Sequence, residues 1–308
     1  MTDVNTKTTN AFNAADVPQY YDDLFLERVQ LNTIHDILFT EKDIPTNGGK
    51  VVFFDRMTPR AVATTALTEA VTPSAISTSS VQISAIVAEY GDFEKVSSLF
   101  ELVTFDKGLK EHVEAMGQAA GETIDTLLRN ELASGATAQI VNGAASVSAL
   151  AATDTLSVAE LRKAVKTLKR QKALKYEDGY YKGVISVGGT FDLQGDSNQG
   201  NFVAANQYKT PELIKKGEIG KLAGVIIHET NNEHVDSVVS TAYSNFVGGK
   251  ECAAMIKVGG KGTGLIMQDG TSTDNPLKMY KTLAWKIPGF AAKTLNSNWL
   301  INIKAYSA

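Results

Sequence analysis

Two histidines and a glutamate stand close together in the run His228-Glu229-Thr230-Asn231-Asn232-Glu233-His234, and imidazole with carboxylate is the material of a metal site. A zincin helix needs its histidines at i and i+4 with a glutamate between them, so that both rings reach one ion. Here the histidines are six positions apart. The preceding Val225-Ile226-Ile227 makes His228 the end of a strand and Asn231-Asn232 a turn, which predicts a satisfied surface histidine and no metal.

Three glycine and lysine fragments resemble pieces of a phosphate loop: Gly48-Gly49-Lys50, Gly248-Gly249-Lys250 and the run GGKGTG over 259–264. A complete loop needs a hydroxyl after the lysine and a helix opening behind it, so that backbone amides cradle phosphate. Glu251 and Gly262 stand where the hydroxyl is required, so these fragments are predicted to be turns between strands. Cys252 is the only cysteine, which excludes an intrachain disulfide and a multi-cysteine zinc site and fits a reducing compartment. Its small apolar neighbours predict a packed thiol with a normal or raised pKa. No G-x-S-x-G elbow or S-x-x-K motif is present, and four histidines supply few general bases. The sequence therefore predicts no catalytic residue, no metal ligand and no cofactor.

The most regular charge pattern is basic. Arg162, Lys163, Lys166, Lys169, Arg170, Lys172 and Lys175 follow one another without an intervening acid. Ser157 and Glu160 form a capping-box signature ahead of Leu161, Val165 and Leu168, so a helix is predicted to run to about Lys175 and to carry this stripe. The negative C-terminal end of the helix and a solvated face account for much of the stripe. The functional alternative is non-specific contact with a polyanion, either nucleic acid or an acidic neighbouring subunit. Neither an aromatic stacking platform nor a helix-turn-helix signature accompanies it, so base readout is not expected.

The elements that would position these residues read as a mixed α+β protein. Apolar Tyr21, Leu24, Phe25, Ile34, Ile37 and Leu38 recur at roughly helical spacing and predict a helix over about 18–39. KVVFFDRM over 50–57 predicts a strand, and alternation from Val81 predicts a second strand that returns antiparallel to it. Between them, 58–80 is dominated by Thr, Ala, Ser and Val, and predicts a long extended loop on a protruding hairpin. An isolated two-stranded ribbon is marginal in water, so this hairpin points to a neighbouring chain. Leu109, Val113, Met116, Ala120, Ile124, Leu127, Leu128 and Leu132 predict a long helix over 106–134, a spine terminated at Gly135, with Gly117 and Gly121 permitting close packing or a bend. Residues 135–155 read as a boundary loop. Short strands are predicted at 182–189, 224–230, 253–258, 282–287 and 299–305.

The 308 residues allow one elaborate domain or two ordinary ones, and 43% apolar with 21% charged residues is ordinary globular composition. A net charge of −4 gives no global attraction to nucleic acid or membranes. The polar N-terminal stretch lacks the order of a secretory signal and reads as an arm, and no run of about 18 apolar residues predicts a membrane span.

Several segments, in order, resemble one family. EYGDFEKVSS over 89–98 and the spine ending IDTLLRNELASG are similar to major capsid proteins of tailed bacteriophages with the Hong Kong 97 fold. GEIGKLAGVIIHETNN over 217–232, AYSNFVGGKECAAM over 242–255 and the stretch 274–303 resemble its coliphage N-four branch. The resemblance covers roughly 18–306. It implies an N-terminal arm over 1–47, an extended loop over 48–97 and a peripheral domain with the spine helix over 98–150. An axial domain over 151–254 and C-terminal strands returning to the periphery over 255–308 complete the implied order. It also implies a structural subunit, without enzymatic activity, that assembles with itself as pentamers and hexamers into an icosahedral shell around a double-stranded DNA genome. Assembly in the bacterial host cytoplasm, location in the virion capsid, a separate scaffolding protein, a portal and room for a decoration protein follow from the same resemblance. A nanocompartment shell of the same fold, enclosing enzyme cargo, is the alternative it leaves open.

Overall fold

The computed structural model describes residues 16–44, 49–58, 60–103, 108–196, 203–204, 218–236, 241–258, 263–268 and 274–306. The first fifteen residues of the expected arm, Gly48 and the glycine run 259–262 lie outside the described residues.

Helix α1 (Asp16–Asn32) stops short of the expected end at 39. The cause lies on another element. Asp125 Oδ1 accepts hydrogen bonds from the amides of Ile34 and His35, both at 2.8 Å, and so captures donors that a continuing helix would use. The chain instead makes a 3-10 turn (His35–Leu38) and enters strand β1 (Phe39–Ile44).

Strands β2 (Val51–Met57) and β3 (Ser80–Ile86) pair antiparallel, Val51 opposite Ile86 and Met57 opposite Ser80, as alternation predicts. Strand β4 (Ala88–Ser97) then leaves the hairpin and pairs along β14 (Tyr280–Thr294). A short helix α2 (Ser98–Val103) precedes the spine, α3 (Gly108–Gly135), whose 28 residues extend roughly 40 Å. Helix α1 lies across α3 at Gly117, where a Cβ would sit 2.9 Å from the Phe25 carbonyl oxygen. Gly135 ends the spine against Thr294, whose side chain occupies the space a Cβ would need.

The expected boundary loop contains strand β5 (Thr137–Ile140), which pairs parallel with β15 (Leu300–Tyr306). Helix α4 (Val158–Arg170) follows, capped by Ser157, whose Oγ accepts from the Glu160 amide. The predicted strand over 182–189 is β6 (Tyr181–Ser186) followed by helix α5 (Val187–Gly195). Ser186 makes the switch, because its Oγ accepts from the Gly189 amide at 3.1 Å and caps the new helix. Strands β7 (Val203–Ala204), β8 (Glu218–Leu222), β9 (Val225–Thr230), β10 (His234–Val235), β11 (Ala242–Gly248), β12 (Ala253–Val258) and β13 (Gly264–Gln268) complete the described order.

Two larger sheets result. One runs β1-β12-β14-β13, with β4 also on β14. The other runs β5-β15-β11-β6-β9-β8-β7, with β10 on β11. In the first, Leu283, Trp285, Ile287 and Phe290 of β14 pack with Phe25, Val113, Leu128 and Leu132 of the two helices. In the second, Ile185, Val225, Ile227, Ile301 and Ile303 pack under Leu161, Val165 and Leu168 of α4. Each side chain buried this fully contributes about 1.5–3 kcal/mol against the entropy of ordering it. Val184 and Phe246, on the opposite face of the second sheet, belong to the first core and join the two units.

Strand β14 was expected only over 282–287, and Pro288-Gly289 follows that stretch. The ladder to β4 in fact skips there, between Ile287 and Phe290, and the strand continues beyond a bulge.

Candidate functional site

Every described residue from Met57 to Gln82 is exposed. The hairpin is held at its base by Phe54 and Ala85, which pack on Ala254, Ile256 and Ala291, and by Arg56, whose Nη1 donates to the Leu295 carbonyl at 3.1 Å. Beyond the base, the Thr58 amide donates to the Ser79 carbonyl, and Arg60 Nη2 donates to the Ile76 carbonyl at 2.9 Å. Among the described residues no core lies beneath these bonds. Val62 and Leu67 are 80% and 77% exposed, and Val71 and Ile76 are also turned to solvent. The outer strands add Phe53, Met57 and Ile86. Apolar surface displayed along a projection is the kind of surface that protein–protein contacts use.

The basic stripe divides. Arg162, Lys163, Lys166, Lys169 and Arg170 stand exposed on α4, whereas Lys172 and Lys175 lie past the end of the helix at Arg170. The predicted helical run to Lys175 is therefore corrected: Lys172 takes a positive φ of 54° and turns the chain away. Lys175 sits over the Tyr181 ring at 5.9 Å, and Lys163 pairs with Glu160. Glu160 is buried and also accepts from Gln139 Nε2 at 3.0 Å and the Asn142 amide at 3.3 Å, so it clamps α4 to the segment before it. The remaining four cations line a shallow groove between α4 and the turn at Ala223. Nearby, Lys221 and Lys182 lie over the rings of Tyr180 and Tyr176, a juxtaposition the sequence spacing did not reveal.

His228 is buried inside the second sheet, between β6 and β8, and is not the surface residue expected from its place before a turn. His234 Nδ1 is 3.2 Å from Ser244 Oγ, and burial, with Arg129 and Lys304 nearby, lowers its pKa. Among the described residues no group of three His, Cys, Asp or Glu is placed to hold a metal. Gly248-Gly249-Lys250 is a turn between β11 and β12, with the Lys250 amide donating to the Leu174 carbonyl at 2.8 Å. Cys252 is fully buried, donates from its thiol to the Leu38 carbonyl, and is pushed up to about 12 by burial.

One cluster has no counterpart in the sequence reading. Asp125, in the middle of the spine, binds the 3-10 turn through the Ile34 and His35 amides and holds His35 Nδ1 at 2.8 Å from its Oδ2. The same oxygen accepts from Asn232 Nδ2 at 2.8 Å, and one turn later Arg129 Nη1 donates to the Glu233 carbonyl at 2.9 Å. Burial raises the Asp125 pKa, but the hydrogen bonds and charge of His35 outweigh it and leave the carboxyl below its usual range. This hub ties the arm side, the spine and the second sheet together. Its members are about 90 to 107 positions apart, beyond any local pattern.

Set against known structures, the architecture matches shell proteins. The capsid of Ralstonia phage GP4 aligns with a TM-score of 0.72 and 17% identity, over 88% of this chain and 87% of that one. The capsid of the cyanophage P-SCSP1u aligns with a TM-score of 0.65 and 14% identity, over 90% and 89%. The holo-SrpI encapsulin complex of Synechococcus elongatus aligns with a TM-score of 0.58 and 7% identity, over 88% and 86%. No family model matches the sequence, and no curated protein matches it. The chain has the α+β fold of tailed-phage capsid proteins, the Hong Kong 97 type. Among the described residues no helix is long and apolar enough to cross a membrane.

Proposed function

We propose that this chain is the major capsid protein of a tailed bacteriophage, a structural subunit that assembles as pentamers and hexamers into an icosahedral shell around double-stranded DNA. The observation that carries this reading is the exposed hairpin over 57–82, whose apolar side chains meet no partner surface among the described residues. Its likeness in fold to the Ralstonia phage GP4 and cyanophage capsids supports it. The hairpin serves as the extended loop over a neighbour, α3 and the first sheet as the peripheral domain, and α4 with the second sheet as the axial domain. The arm over 1–47 completes the subunit together with the C-terminal strands over 255–308, of which β13 and β14 join the first sheet and β15 the second. Heterologous contacts that close into rings account for the capsomers. Assembly takes place in the host cytoplasm, with a separate scaffolding protein, a portal and, on some shells, a decoration protein. Of the stripe, Arg162, Lys166, Lys169 and Arg170 on α4 supply the polyanion contact, with Lys163, Lys172 and Lys175 beside them.

Electron cryomicroscopy of the purified particles tests this directly. Closed shells with loops laid over neighbours and nucleic acid inside are expected; a monodisperse monomer would refute the reading. The encapsulin match supports a second reading, a nanocompartment, and an enzyme cargo in place of nucleic acid would select it.

A further inference from the structure

The four cations that α4 itself presents, apart from Lys163, form the rim of a concavity. Arg162, Lys166, Lys169 and Arg170 line the α4 side of a groove of about 480 Å³ whose apolar lining is Ala223 and the edge of the nearly buried Val165. Among the described residues no carboxylate lines it. The turn that makes its far wall is fixed by backbone conformation, with Ala223 and Gly224 at φ of 53° and 89°. Arg162, Lys166 and Arg170 succeed one another at every fourth position, so each step along the rim is about 6 Å.

We propose that this groove receives a short acidic segment of a partner protein, with apolar side chains on the apolar lining and carboxylates on the rim. The proposal rests on the polyanion reading of the stripe and names its partner. Carboxylates at i and i+4 of a helix are about 6 Å apart, and those at i and i+2 of a strand about 7 Å, so either form meets the cations in register. The two arginines offer forks that bind carboxylate in pairs. A DNA duplex fits less well, because its backbone is convex and its phosphates offer nothing apolar to the lining of Ala223 and Val165. The chain's own extended loop is not the occupant, since 58–80 contains a single carboxylate, Glu69, together with Arg60.

The experiment is fluorescence anisotropy on the full-length protein with three labelled probes. The first is a short synthetic peptide with Glu and Leu at helical spacing, the second is the same peptide with every Leu replaced by Ser, and the third is a short DNA duplex. The Glu/Leu peptide is expected to bind about tenfold more tightly than the other two. Lys166→Glu with Arg170→Glu is expected to weaken it by at least about tenfold. Lys110→Glu with Lys286→Glu, which changes net charge equally on the first unit, is expected to leave binding within about twofold. All four positions are exposed or half-exposed, and melting curves of both variants confirm the fold. Equal binding of all three probes would overturn the proposal in favour of a general polyanion surface. Binding of the duplex alone would overturn it while the polyanion reading stands, and binding of none would remove both.

Discussion

The first core and the hairpin that grows from it draw on the same apolar residue types and treat them in opposite ways. Leu283, Trp285 and Ile287 on β14 are at most 5% exposed, closed in by α1 and α3. Val62 and Leu67, on a projection anchored by Phe54 and Ala85, are turned almost wholly to water. On the proposed reading, the contrast separates what the chain stabilises alone from what a neighbouring chain covers. Substitutions in the core should act on folding, and substitutions in the hairpin on assembly.

The largest effect expected is on assembly. Replacing 60–78 by a short Gly-Ser turn, which keeps the Thr58 to Ser79 hydrogen bond, should abolish shells while denaturant unfolding of the subunit shifts by less than about 0.5 kcal/mol. Shell yield by sedimentation and the unfolding midpoint check the two halves; a large loss of subunit stability would show that the loop belongs to the core.

Next is Asp125→Ala, which leaves the His35 ring and the amides of Ile34 and His35 without their acceptor and should cost about 3–5 kcal/mol in urea unfolding. The folded pKa of Asp125 is depressed, so its contribution is present above the unfolded value, about 4, and is lost as pH falls through the lower folded value. Asp125→Asn should therefore flatten the acid limb of the stability curve, and an unchanged limb would place the acid sensitivity elsewhere.

Gly117→Ala pushes α1 off the spine and should cost about 1–3 kcal/mol by thermal or chemical unfolding. Ser157→Ala removes the cap of α4 and should cost about 1 kcal/mol in the same assay. Smallest of all, Leu67→Ser should change subunit stability by no more than about 0.5 kcal/mol. Its effect should be confined to the protein concentration at which shells form.

Local physics made much of this fold legible. The 3-4 spacing from Leu109 to Leu132 gave the spine, Ser157 and Glu160 gave the start of α4, and alternation after Val81 gave the returning strand of the hairpin. What escaped depends on distant partners. Asp125 ends α1 from another helix, Pro288 hides a bulge inside a strand, and Ser186 turns a β-like Val187-Gly188-Gly189 into a helix. His228 looked exposed because a turn follows it, yet flanking strands bury it. The stripe was visible as charge, but its division into a groove-lining set and outlying lysines required Lys172 to turn the chain and Ala223 to face the helix.

The central claim is that the hairpin over 57–82 is completed by a neighbouring subunit. Hydrogen–deuterium exchange on the assembled particle and on the dissociated subunit measures this directly. The account predicts that amides of 60–80 exchange freely in the subunit and are protected in the shell, while those of β14 and α3 are protected in both. Equal protection of 60–80 in the two states would contradict it.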